Sequence, residues 1–64
     1  MNNQPVFTRV ICVTKTLPSG VSFSRDMYSW ADATKEFGSA VMLGVYDRVE
    51  TRQGNVLVKS WRKP

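Results

Sequence analysis

A chain with a single cysteine, Cys12, and no histidine closes no internal disulfide and assembles none of the common zinc ligand sets. In a chain of 64 residues that is a severe restriction. Domains of this size bury only about 60% of the surface exposed on unfolding, and most rely on disulfides or metals to support a thin core. What remains is one tightly packed apolar core, self-association, or docking on a larger partner. Hydrophobic residues make up 42% and charged residues 22%, the balance of a folded globular protein rather than a disordered tail. A single domain over 1–64 is expected, with polar residues 1–5, ending in Pro5, as a frayed lead-in.

Val6–Thr16, VFTRVICVTKT, has β-branched residues at seven of eleven positions, the composition of a strand. Alternation sets Phe7, Arg9, Ile11, Val13 and Lys15 on one face and Val6, Thr8, Val10, Cys12 and Thr14 on the other. Its middle is apolar on both faces, which suits a central strand with Cys12 as a small buried hydrophobe. Leu17-Pro18-Ser19-Gly20 reads as a turn, and Val21–Arg25 as a second strand returning as a hairpin, with Val21 and Phe23 inward.

Ser29 is a good helix N-cap, and Asp32 three residues on places negative charge in the first turn. Trp30, Ala33 and Phe37 form an apolar stripe, and Gly38 is read as the stop. Ser39–Tyr46 is ambiguous between strand and continued helix; the break at Gly38-Ser39 favours a strand. The last third, Val45–Lys63, reads as a β-hairpin turning at Gln53-Gly54-Asn55. The order β-β-α-β-β predicts an α+β fold: a small antiparallel sheet with one helix packed on one face. Trp30, Ala33 and Phe37 would bury against Ile11, Val13, Val21, Phe23, Val45, Val49, Val56 and Val58, with nothing to cover the other face.

Charge concentrates at the C-terminal end. In residues 1–50, Arg9, Lys15, Arg25, Lys35 and Arg48 cancel Asp26, Asp32, Glu36, Asp47 and Glu50, so the net +4 comes from Arg52, Lys59, Arg62 and Lys63. Interleaved aromatic and basic side chains on the hairpin make Tyr46, Arg48, Arg52, Lys59, Trp61 and Arg62 the expected partner-binding residues, with Trp61 the anchor. The competing reading has the charges solvating a hairpin while Trp61 covers the core edge. The same surface suits nucleic acid, where aromatics stack bases and cations meet phosphates, although none of the familiar nucleic-acid modules is present.

No catalytic, cofactor or metal motif is present, and without histidine a general base near neutral pH needs a strongly shifted group in a deep pocket. Asp32 and Glu36 lie one helical turn apart but have the look of a solvated face. A non-enzymatic protein is expected. No secretory leader or membrane-spanning apolar run is seen, which points to a cytoplasmic protein with no membrane partner.

In size, strand–strand–helix–strand order and lack of catalytic apparatus, the chain resembles the small early proteins that tailed bacteriophages make to redirect their host. No stretch of sequence matches, so no functional residue carries over. The resemblance implies stoichiometric binding to a larger host protein, in the host cytoplasm, that inhibits or modulates it; a partner with an acidic or nucleic-acid-binding surface would suit the charge. Direct nucleic-acid binding is the alternative, and a homodimer joined through the uncovered sheet faces is a third possibility.

Overall fold

The computed structural model describes residues 10–64; the expected lead-in at 1–5 and the first part of the long first strand lie outside the described residues. Four strands and one helix follow in the expected order: β1 Ile11–Thr16, β2 Ser22–Met27, α1 Trp30–Leu43, β3 Arg48–Gln53 and β4 Val56–Arg62. They form a single antiparallel sheet in the order β2-β1-β3-β4, with β1 central as its composition suggests. Both β2 and β3 run antiparallel to β1, so they are parallel to each other. Their connection must cross the sheet, and α1 is that crossing.

The core lies between α1 and the middle of the sheet. Ile11, Val13 and Val49 are fully buried, joined by Met27, Ala33, Phe37, Ala40 and the polar Thr51. Each of the three large aliphatic side chains contributes roughly 1.5–3 kcal/mol by leaving water. The predicted core was too wide. Val21, Phe23, Trp30, Val45, Val56 and Val58 are all exposed, whereas Met27 and Ala40, outside the expected set, are buried. Met27 enters because β2 runs two residues beyond Arg25 and sets Met27 opposite Ile11.

Cys12 is half-buried, not the expected interior hydrophobe, because among the described residues its face of β1 carries no second layer.

The helix does not stop at Gly38. It continues through Leu43, and Gly44, with φ of +77°, supplies the left-handed C-cap. The strand expected over Ser39–Tyr46 is therefore helix as far as Leu43 and connection thereafter, and β3 begins at Arg48. A mid-helix glycine costs only about 1 kcal/mol relative to alanine, and Ala40 extends the buried stripe of Ala33 and Phe37 by another turn. Packing outweighs propensity. The N-terminus is as expected: Ser29 Oγ accepts from the Asp32 amide at 3.2 Å.

A polar plug closes one side of the core. Lys15, in line with Ile11 and Val13, donates to the Glu36 carboxylate of α1, and Arg25 Nη1 lies 3.7 Å from its other oxygen. The Tyr46 ring packs near the Lys15 ammonium, 5.8 Å from centroid to nitrogen. The Lys15 hydrogen bond, opposed by desolvation and aided by the Lys15 and Arg25 charges, holds the Glu36 carboxyl below the ordinary glutamate range.

A Cβ built at Gly38 meets nothing within 4 Å, so Gly38→Ala should raise stability by about 0.5–1 kcal/mol in urea melts; had the helix ended there, the same change would destabilise. Because the folded pKa of Glu36 is lowered, its contribution is present above the unfolded value near 4.5 and is lost as pH falls through the folded value. Glu36→Gln should therefore cost about 1 kcal/mol at neutral pH, and the gap from wild type in pH-dependent melts should close on the acid side of about pH 4.5.

Candidate functional site

Among the described residues the face of the sheet away from α1 is open, and its side chains form a grid set by register. From β2 through β4, one row is Ser22, Thr16, Arg48 and Arg62; the next Ser24, Thr14, Glu50 and Ser60; the last Asp26, Cys12, Arg52 and Leu57. The β1–β2 half is a hydroxyl ladder. Thr14 and Ser24 share a 2.9 Å hydrogen bond, as do Thr16 and Ser22. The β3–β4 half carries three arginines around Glu50.

A β-bulge decides which hairpin side chains join this grid. Thr51 pairs with Lys59 but Arg52 pairs with Leu57, which leaves Val58 as the extra residue. Without the bulge, Leu57, Lys59 and Trp61 would share one face. With it, Leu57 lies on the open face and Lys59 and Trp61 on the helix side. The expected partner-binding set is therefore divided. Arg48, Arg52 and Arg62 come together on the open face, whereas Lys59 and Trp61 pack toward the core, Lys59 with its ammonium 4.8 Å from the Phe37 ring centroid. Trp61 and Tyr46 are both partly buried against that core. The open face has no aromatic residue among its described side chains.

The three arginines differ in their surroundings. Arg52 Nε lies 3.8 Å from Glu50 Oε1. Arg48 and Arg62 have no carboxylate within ion-pair distance among the described residues, although they are direct cross-strand partners. They line a shallow depression of about 430 Å³ at the end of the sheet, together with Thr16, Asp47 and Lys63. The Lys63 ammonium donates to the Gly44 carbonyl at 3.2 Å.

Elsewhere the chemistry is sparse. Asp32 and Glu36 border a second depression of about 410 Å³, but Glu36 is held ionised by its cationic partners and so is poorly suited to acting as a proton donor. Among the described residues no group of three or more His, Cys, Asp or Glu could hold a metal ion, and no helix is long and apolar enough to cross a membrane. Sequence reading missed the hydroxyl ladder, whose signal was the alternating Thr14, Thr16 and Ser22, Ser24. It also missed the bulge; the run Val56-Leu57-Val58, apolar on both faces, was its only trace.

Comparison with protein-family models, with curated proteins and with solved structures finds no match to this chain. Function must be argued from the geometry itself.

Trp61, half-covered against the core opposite Val49, should act as a structural residue as well as a surface one. Trp61→Ala is expected to destabilise by about 2 kcal/mol, less than for a fully buried tryptophan. An unchanged urea midpoint would place its role at the surface alone.

Proposed function

We propose that this chain is a non-enzymatic binding protein that engages an acidic surface of a larger protein through its open sheet face, with Arg48, Arg52 and Arg62 as the principal contacts. The observation that carries this reading is the convergence of the three arginines on the one sheet face that no helix covers. Arginine forks make bidentate bonds to carboxylates, and the hydroxyl ladder beside them offers further donors and acceptors. Strand pairing holds these groups in fixed rows, which lowers the ordering cost of binding. The resemblance in size and element order to small early phage proteins supports a host protein as the partner, inhibited or modulated by stoichiometric binding.

Base stacking has less support on this surface. Sheet-based single-strand binders set aromatics on the binding face, and Tyr46 and Trp61 pack with the core instead. A face-to-face homodimer would bury little apolar surface, since Leu57 and Cys12 are the apolar members of the described grid.

The test is capture from bacterial lysate, with and without nuclease and at low and moderate salt. The expected result is one stoichiometric protein band that survives both treatments. It should be lost with the Arg48→Gln, Arg52→Gln, Arg62→Gln triple variant and retained with Lys35→Gln on the exposed side of α1. Capture of nucleic acid that vanishes with nuclease would sink the protein-binding reading.

A further inference from the structure

We infer that the Arg48–Arg62 corner of the open face is a binding site for a phosphate monoester. This deepens the reading of that face as a binding surface, on which it rests, by naming the chemistry taken at one corner.

Directly opposed residues on neighbouring antiparallel strands have Cβ atoms about 4.5–5.5 Å apart, and like charges so placed repel. Arg48 and Arg62 are such a pair. The acidic side chains that would relieve them are engaged or placed elsewhere. Glu36 is held by Lys15 and Arg25, and Glu50 lies beside Arg52. Asp26 and Asp32 border the other depression, around the Met27 end of β2. Asp47 shares the rim of this one, yet neither guanidinium lies within ion-pair distance of its carboxylate. Arg48 and Arg62, opposed across β3 and β4, thus both line an open depression of about 430 Å³, large enough for a phosphate and part of its carrier.

Their neighbours fit the same ligand. Thr16 is next in the row beyond Arg48, and its hydroxyl bonds to Ser22 at 2.9 Å. Lys63 adds a cation to the rim. A pair of arginines on opposed strand positions matches a dianion with several acceptor oxygens, whereas a carboxylate or phosphodiester carries only one negative charge. A phosphate monoester becomes dianionic as pH rises through about 6. The charged groups around the site are Asp47, Arg48, Arg62, Lys63 and the α-carboxylate of Pro64, and the chain contains no histidine. The pH dependence of binding should therefore follow the ligand's second ionisation.

The experiment is NMR of the ¹⁵N-labelled full chain, following arginine Nε–Hε and backbone amide signals as inorganic phosphate is added at constant ionic strength. Saturable shifts are expected at Arg48, Arg62 and Thr16, more than about tenfold weaker in affinity at pH 5.5 than at pH 7.5, because inorganic phosphate gains its second charge at a somewhat higher pH than a monoester does. Sulfate, dianionic at both values, should bind alike at both. Arg48→Gln and Arg62→Gln, each checked for an unchanged fold by its amide spectrum, should abolish the saturable response. Both should melt at a higher temperature than wild type in chloride, because the repulsion is gone. Phosphoserine and adenosine monophosphate then distinguish an amino-acid carrier from a nucleotide one.

Shifts spread equally over Arg25 and Arg52, equal phosphate affinity at both pH values, or exclusion of both carriers would overturn the assignment. The two readings fail separately. Loss of the lysate partner with this titration intact defeats the protein-binding reading, whereas an intact partner without saturable phosphate binding defeats this one.

Discussion

One helix can cover only about two strands. An α-helix with its side chains is about 10–12 Å across, and neighbouring strands lie about 4.8 Å apart. Here α1 rests mainly on the central strands β1 and β3, which places Ile11, Val13, Val49 and Thr51 under Ala33, Phe37 and Ala40. The rest of the architecture adapts to that narrow contact. β2 reaches the core through Met27, while Lys15 and Glu36 close the side where apolar cover runs out. The reverse of the sheet, with no second layer among the described residues, is polar along most of its grid.

That polar face is where strand order and local irregularity combine. Antiparallel pairing alone would send Lys59, Trp61 and Leu57 to one side. The extra residue at Val58 separates them, so that Trp61 joins the core and Leu57 does not. A single inserted position thereby parts Trp61 and Lys59 from Leu57 and the arginine surface. It turns an expected mixed patch into an arginine and hydroxyl one, with different preferences for what it can hold.

The order of elements, the antiparallel sheet, the Ser29 cap and the central place of β1 were legible in the sequence, since each depends on local composition or alternation. The extent of the helix was not. Gly38 resembles a terminator when only its own propensity is considered, and its place inside α1 follows from Ala40 packing on the sheet and from Gly44 accepting the left-handed turn. The core was drawn too broadly for a related reason: alternation says which side chains share a face, but not how far a helix extends across it. The expected binding set is divided by the register, and Arg62 joins Arg48 and Arg52 although simple alternation along the last strand sets it on the opposite face. Arg48, Arg52 and Arg62 share the open face, while Tyr46, Lys59 and Trp61 were separated from them by the bulge and by Tyr46 lying before β3.

The bulge has a second effect, on how this small sheet meets other chains. β4 is an edge strand, and Val56, Leu57 and Val58 are exposed along it. A regular apolar edge of that kind is a template on which another extended chain can add. Here the ladder is interrupted within the apolar run itself, and the cationic Lys59 follows immediately. An incoming strand would have to reproduce the irregularity and accommodate the charge. The edge therefore resists open-ended strand addition, and the hairpin can leave its apolar residues in water without recruiting copies of itself into fibres.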